Sequence, residues 1–525
     1  MPKDSTPSGL LKAATILKQH GRPQSSLPLL KRAFSLDRSS DIAKAGYWAG
    51  LHQEDIDFSR ACLDFLESQP EGKHAVWLKG KRGKLGRQPL SPQDVTEWAQ
   101  QADQAGAYSP AAGRICYLLH NSLPFASGGY ATRAHGMAAG LKANGLDVIC
   151  MTRPGFPIDV PDFDTSRTVA PEADIDGIRY LHTLEPTRKQ FSGRDYVLQA
   201  ANKLTEVFLQ LRPAMVMAAS NYITAIPALV AARRLGIPFF YEIRGFWEVT
   251  RVSREPEYAQ TDAYAQQVAL EKAVAEHADH VFTLTTPMKE EMIERGVAAN
   301  KITLAPNSCD PFRFNPRPRD AALAAKYSIP EDVPVIGYIG TFVQYEGLEH
   351  LAQACAILRA QGQDFRLLLV GNENTAGNDR GPITEEILRV ANEEGLSDKL
   401  IMPGRIPHEE VEAHYSLIDI APFPRKPQPV TEMVSPMKPL EALAMEKAVM
   451  VSSVRALTEM IKDGETGLVF EKGNVEDMAK VLARLIADPS LCLRLGKAGR
   501  KWVEEERTWK KTAKTVSSML IDQYE

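Results

Sequence analysis

A chain of 525 residues is too long for one ordinary domain and suits two or three. Its 62 Lys and Arg against 66 Asp and Glu give a formal net charge of -4, so whole-chain electrostatics offer nucleic acid no general attraction. Hydrophobic content of 44% is that of a globular protein. The six cysteines form neither a CxxC pair nor a cluster at metal-ligand spacing, which argues for a reducing compartment and against a structural zinc site.

The opening stretch, MPKDSTPSGLLKAA, lacks the apolar core of a signal peptide, and no run of about 18 apolar residues follows it. A cytoplasmic chain is expected, with at most peripheral contact at the inner face of a membrane. Residues 1–110 read as helices joined by short turns. GLLKAATILKQHGRPQSSLPLLKRAFSL and DIAKAGYWAGLHQEDIDFSRACLDFLES both space apolar residues three and four apart. The second resembles the first about thirty residues later, in the manner of degenerate tetratricopeptide-like hairpins. Such helices are a candidate surface for a protein partner, although a plain extension packed on its neighbour is the favoured reading of the pattern. KGKRGKLGR, from Lys79 to Arg87, reads as a solvated basic turn or as a patch for an anionic membrane surface or a lipid-linked acceptor.

From Arg114 the texture changes. RICYLL, LDVICM, IRYLHT, AMVMAA, PFFYEI and HVFTLT are short apolar runs alternating with helical patterns. The alternation restarts in VPVIGYIG and continues through FRLLLVG, KLIMPG, IDIAPF and KAVMVSS. Short strands alternating with helices predict parallel sheets with helices on both faces. The fold class is therefore α/β: two doubly wound units, 111–312 and 328–500, facing each other across a cleft. A Pro-rich linker, 313–327, joins them; a helical extension, 1–110, precedes them; and an amphipathic helix, 501–525, closes the chain. Ligands of open parallel sheets bind at the carboxyl ends of the strands, so the cleft is where chemistry is expected.

One helix mouth stands out. In VSPMKPLEALAMEKAVMVSS, Ser435 reads as an N-cap and Pro436 as the first helical residue. The N–H groups of Met437 and Lys438 then lack intrahelical partners and, with the helix dipole, suit an anion. Lys438 adds a full charge. Glu441 can accept two hydrogen bonds, as from the vicinal hydroxyls of a ribose. Phosphate plus ribose points to a nucleotide; a capped helix with solvent-facing Lys and Glu is the plain alternative. A second mouth follows RICYLLHNSLPFASGG, where Gly128 and Gly129 permit close backbone approach to a ligand. His120 ends the preceding strand, within reach of an acceptor hydroxyl. Arg133, on the first turn of the next helix, meets phosphate or pairs with an acid. In YEIRGFWE, Arg244 and Glu248 follow an apolar strand and suit a sugar or phosphate, or an internal salt bridge.

Taken together and in order, SGGYATRAHGMAAGLKANGLDVICMTR, PFFYEIRGFWE, APNSCDPFRFNP, IGYIGTFVQYEGLEHLAQA, LLLVGNE, MPGRIPHEEVEAHYSLIDIAPFP, SPMKPLEALAMEKAVMVSS and EMIKDGETGLVF resemble the retaining glycosyltransferases of family 4, with the two-lobed fold called GT-B. The resemblance covers about 114–510. It implies a nucleotide-sugar donor, a glycan or lipid-linked acceptor and no metal or other cofactor. It implies that Gly128 and Gly129 approach the distal phosphate and the acceptor. Arg405, Ile406 and Pro407 would lie by the base, and Ser435, Pro436 and Met437 by the diphosphate and donor sugar, with Glu441 on the ribose. Two departures stand out. Members often carry a first Glu eight positions before the ribose Glu; here that position is Met433, and Glu432 precedes it. An Arg and a Lys that often hold the diphosphate correspond to Thr341 and Glu346. Lys438 is then the first candidate for the missing charge, and Arg425 and Lys426 the next. The Asp triplets at Asp55, Asp162 and Asp174 read as chance rather than as metal sites. The expected function is transfer of a sugar to an acceptor hydroxyl for a surface polysaccharide or glycoconjugate, with Gly129, Lys438, Arg244 and His120 nearest the chemistry. The alternatives are a sugar-nucleotide epimerase and a non-catalytic docking protein.

Overall fold

The computed structural model describes residues 6–19, 23–53, 55–70, 73–78, 81, 89–101, 108–160, 163–164, 166–191, 193–373 and 380–522. The basic run Lys79 to Arg87 lies outside them except for Lys81, and so does Asp162.

The N-terminal helices Pro7–Gln19, Pro23–Leu36, Ser40–His52 and Ile56–Glu67 share a small core of their own, built on Phe34, Tyr47 and Leu63. Ser39 and Asp55 cap the third and fourth, each accepting from an N–H three residues on. The next long helix, Pro92–Gln100, belongs elsewhere. Ser91 and Asp94 form its capping box, and Val95 and Trp98 are buried in the core of the first α/β lobe. The helical extension thus ends short of residue 110, because these apolar side chains find their partners on the sheet side.

The first lobe is an eight-stranded sheet: β1 (Ala111–Leu119), β2 (Asp147–Thr152), β3 (Glu172–Ile175), β4 (Ile178–Leu181), β5 (Pro213–Ala219), β6 (Phe239–Ile243), β7 (His280–Thr283) and β8 (Ile302–Leu304). Their order is β3-β4-β2-β1-β5-β6-β7-β8, parallel except for the β3–β4 hairpin. The second lobe holds β9 (Val335–Ile339), β10 (Arg366–Val370), β11 (Leu400–Gly404), β12 (Ile420–Phe423), β13 (Ala448–Ser452) and β14 (Leu468–Phe470), in the order β11-β10-β9-β12-β13-β14. Most apolar runs of the sequence are central strands buried on both faces, such as β5, β9 and β13, while KLIMPG forms the half-buried edge strand β11. The strands absent from that reading, β3, β8 and β14, are short edge strands or, for β3, polar. The expected linker contains a helix, Ala321–Lys326, whose Ala324 packs into the second lobe's core.

In each sheet the chain first moves one way from a central strand and then returns to its other side. The switch points lie between β1 and β5 and between β9 and β12. Crevices form at the carboxyl ends of such strands. The helix Trp509–Asp522 returns from the second lobe to lie on helix Gly129–Ala143 of the first. A Cβ on Gly136 would sit 2.3 Å from the Trp509 ring, so only glycine lets the two helices meet so closely. Among the described residues no helix is long and apolar enough to cross a membrane.

Candidate functional site

At the second switch point, Gly340 ends β9 and donates its N–H to Val370 (2.8 Å), while Phe342 donates to the Asn372 carbonyl (2.9 Å). The loops after β9 and β10 are thereby bound side by side. The Lys438 side chain crosses directly over Gly340: a Cβ there would fall 1.9 Å from Lys438 Cε. Lys438 Nζ lies 5.7 Å from the centre of the Tyr338 ring. Among the described residues Lys438 makes no ion pair; Glu346 and Glu441 act on it only at longer range. Glu441 is half-buried and accepts a 3.3 Å hydrogen bond from Tyr415 Oη. Burial raises its pKa, and the nearby Lys438 lowers it only in part.

The helix itself differs from the expected one. It spans Lys438–Ala444, with Met437 at the N-cap and Pro439 inside the first turn. Ser435 does not cap it. Asn307 of the inter-lobe connection donates Nδ2 to the Ser435 carbonyl (2.8 Å) and approaches its hydroxyl at 3.4 Å. This long-range bond fixes Ser435 in the loop after the short helix Pro429–Met433, so Pro436 also stays outside the helix, which starts three residues after Ser435. Met437 and Lys438 N–H still have no acceptor among the described residues, because the first intrahelical bonds run from Leu440 and Glu441 to the Met437 carbonyl. Across the cleft lies the glycine turn. Gly128 caps helix Gly129–Ala143, both glycines are exposed, and a Cβ on Gly129 would be 3.6 Å from Met437 Cε. The two mouths singled out in the sequence therefore face each other at contact distance. Arg405 and Pro407 lie just beyond β11, at the same end of the sheet, and both are exposed.

The first lobe's face is built around a buried carboxylate. Glu242, on β6, is 1% exposed. Arg133 donates to it from Nε (3.0 Å) and Nη2 (2.7 Å), Arg244 from Nε (2.8 Å), and the Tyr117 hydroxyl joins them. Burial alone would raise the Glu242 pKa; the two guanidiniums outweigh it and bring it to about 2. Arg133 spends its remaining donors on the carbonyls of Ala305 and Pro306 and on Asn307 Oδ1. Arg133 is therefore an internal brace between the lobe and its connection, not a phosphate ligand. Arg244 also donates to the Tyr130 carbonyl (3.0 Å) and lies 4.3 Å from that ring's centre, yet it lines the inter-lobe cavity. Glu248 turns away from Arg244 and the cleft. It is 1% exposed and pairs with Arg295 at 2.8 Å, because the short helix Trp247–Val252 points it inward.

Three other candidates are occupied. Arg425 is buried, donates to Glu346 from Nη2 (2.7 Å) and Nε (3.1 Å), and donates from Nη1 to the Val434 carbonyl. Its charge answers Glu346, which stands where the resemblance implied a cation. Lys426 pairs with Glu349. Glu432 accepts from Lys472 Nζ (2.6 Å) and the Arg455 N–H (2.9 Å), which directs it away from the donor-side loop. His120 is half-buried, with Nδ1 3.1 Å from the Thr224 hydroxyl and its ring 4.7 Å from Trp247. Burial, aided by Arg153 and Arg188, holds its pKa well below the ordinary value, so it is neutral at neutral pH. Among the described residues no three His, Cys, Asp or Glu side chains are grouped to hold a metal ion.

Glu242, Asn307 and Tyr415 escaped the reading of the sequence. Glu242 carried a signal: a lone carboxylate in the otherwise apolar strand FFYEI must be paired if buried. Asn307 and Tyr415 carried none, since their partners lie 128 and 26 residues away.

Residues 128–308 match the model of a glycosyl transferase 4-like domain, and residues 320–502 that of glycosyl transferases group 1. The chain is 26% identical over 282 residues to a 2-deoxystreptamine glucosyltransferase of Streptomyces kanamyceticus, covering 53% of this chain and 68% of the relative. It is 27% identical over 218 residues to a GDP-mannose-dependent alpha-(1-6)-phosphatidylinositol monomannoside mannosyltransferase of Mycolicibacterium smegmatis, covering 41% of this chain and only 55% of the relative. Sucrose-phosphate synthase from Thermosynechococcus elongatus shares the fold at a TM-score of 0.62 and 23% identity, over 78% of this chain and 99% of that one. With two facing parallel-sheet lobes, the first matching a glycosyl transferase 4-like domain and the second glycosyl transferases group 1, the chain belongs to the GT-B glycosyltransferases of group 1.

Proposed function

We propose that the protein is a retaining, metal-independent hexosyltransferase. It moves a sugar from a nucleotide-sugar donor to a hydroxyl of a glycan or lipid-linked acceptor, in surface polysaccharide or glycoconjugate assembly. The observation that carries this reading is the juxtaposition of Gly129 with Met437, beside an unpaired Lys438 and the Glu441 carboxylate. The Met437 and Lys438 N–H groups and the Lys438 ammonium take the diphosphate, and Glu441 takes the ribose diol. Arg405 and Pro407 border the base.

In the reaction the bond from the anomeric carbon to the diphosphate oxygen breaks, and a bond from that carbon to the acceptor oxygen forms on the same face. The transition state is oxocarbenium-like, and negative charge grows on the leaving diphosphate. Lys438 and the free N–H groups stabilise that charge where it develops. The acceptor's proton passes to the leaving phosphate oxygen, so no side-chain base is required. His120, neutral and close to Trp247, would accept a hydrogen bond from the acceptor through Nε2, in the tautomer that donates Nδ1–H to Thr224.

The test is release of nucleoside diphosphate by the full chain from UDP-, GDP- and ADP-hexoses offered with an acceptor panel. One donor class is expected to shift the melting temperature and to turn over in the presence of EDTA. An NMR spectrum of the product should show the donor's anomeric configuration; inversion, or turnover abolished by EDTA, would refute the corresponding part of the reading.

A further inference from the structure

Beside the transfer site lies an inter-lobe cavity of about 590 Å³, and Lys438 is not among its lining residues. Its walls come from both lobes: Trp247, Arg251 and Arg254 from the first, Tyr345 and Arg425 from the second. That size suits a small ligand or a sugar or two. We propose that this cavity is an acceptor pocket selective for acceptors that carry an anionic group, a phosphate or a carboxylate, held by Arg254. The inference rests on the transferase reading for the word acceptor, but not for the anion.

The charge balance of the walls carries it. Four arginines line the cavity against one acid, Glu255. Three of the four are already engaged. Arg244 is held by Glu242, which it shares with Arg133; Arg251 faces Glu255 at 3.3 Å; and Arg425 is locked onto Glu346. Arg254 is exposed, stands close enough to Tyr345 to influence its phenol, and makes no ion pair among the described residues. The pocket therefore keeps a positive surplus, and Arg254 is the lining guanidinium whose five donors have no ion-pair partner among the described residues. A neutral sugar could return only hydroxyl acceptors to Arg254, with no charge to offset the surplus. An anion would restore the lost interactions through paired hydrogen bonds. Selectivity follows from that difference. Trp247, 41% exposed with its edge on His120, offers a flat apolar face for the C–H side of a sugar ring. Ring on Trp247 and anion on Arg254 together define one orientation, which a single contact would not.

The full chain is titrated at fixed ionic strength with glucose, glucose 6-phosphate, glucuronic acid and a polyprenyl diphosphate-linked N-acetylglucosamine in micelles, each by calorimetry. The anionic sugars are expected to bind at least tenfold more tightly than glucose. Arg254→Ala should remove that preference, and Arg254→Lys should restore part of it. The ranking among the sugar phosphate, the uronic acid and the lipid-linked probe identifies the source of the anion. Equal binding of glucose and the anionic sugars, or a preference untouched by Arg254→Ala, would overturn the proposal. So would a preference lost in Lys438→Ala but kept in Arg254→Ala, since the anion would then lie in the donor site. If no nucleoside diphosphate binds while the Arg254-dependent preference persists, the transferase reading fails and the anion pocket stands.

Discussion

Two charge clusters at the cleft, one from each lobe, use charge in opposite ways. On the first lobe, Arg133, Arg244 and Glu242 are buried and committed to one another and to the chain connecting the lobes. On the second, Lys438 and Glu441 stand a turn apart with no ion pair between them, although burial already raises the Glu441 pKa. One set of charges holds the architecture, and the other is left for a ligand. A buried pair tolerates no loss of a partner, whereas an unpaired cation at a mouth can be removed at little cost to the fold.

The sharpest way to break that contrast is Arg133→Ala. It should destabilise the first lobe by about 3 kcal/mol or more, as expected when one partner of a buried ion cluster is removed. The first unfolding transition in urea would report it; an unchanged midpoint would mean that Arg244 alone satisfies Glu242. Lys438→Ala should do the reverse, leaving that midpoint within roughly 0.5 kcal/mol while weakening nucleoside diphosphate binding at least about tenfold and nucleoside binding hardly at all. Equal loss for both ligands would contradict a phosphate role. Gly340→Ala should weaken nucleoside diphosphate binding in the same way, because the added Cβ displaces the Lys438 side chain lying 1.9 Å away, but with a stability cost from the φ of +158° at Gly340.

A third prediction compares two carboxylates of the same lobe by pH. Glu242 is held at about 2, so its contribution to stability is present above the ordinary glutamate range and lost only as pH falls toward 2. Glu271, also 1% exposed, is pushed up to about 7 by burial and by the neighbouring Glu248. The folded state then binds more protons than the unfolded chain between about 4.5 and about 7, and stability falls as pH rises through that window. Glu271→Gln should flatten this slope and gain on the order of 1 kcal/mol above pH 7, with no gain below the window. A melting curve against pH decides it. The smallest effect is expected for Asn307→Ala. Loss of the bond to Ser435, and of one of the two acceptors of Arg133 Nη1, should cost about 1 kcal/mol and loosen the donor-side loop, read as a raised donor KM.

Much of the fold was legible because central parallel strands are buried on both faces and appear as unbroken apolar runs. The edge strands β3, β8 and β14 were not, since an edge needs no such run. Of the site, the two mouths were legible: paired glycines and a Pro-rich helix start are local features. The pairing of charges was not. Arg425 looked as available as Lys438, and only its position opposite Glu346, 79 residues away, removes it. Glu248 looked like a partner of Arg244 until the short helix after β6 turned it toward Arg295.

The sequence by itself determined which backbone groups and side chains stand at the carboxyl ends of the strands, because strand and helix periods are local properties. The tertiary structure alone decided which of those side chains remain free. An ion pair depends on distance between elements remote in the chain, and burial, which sets the strength of each charge, is a property of the packed whole.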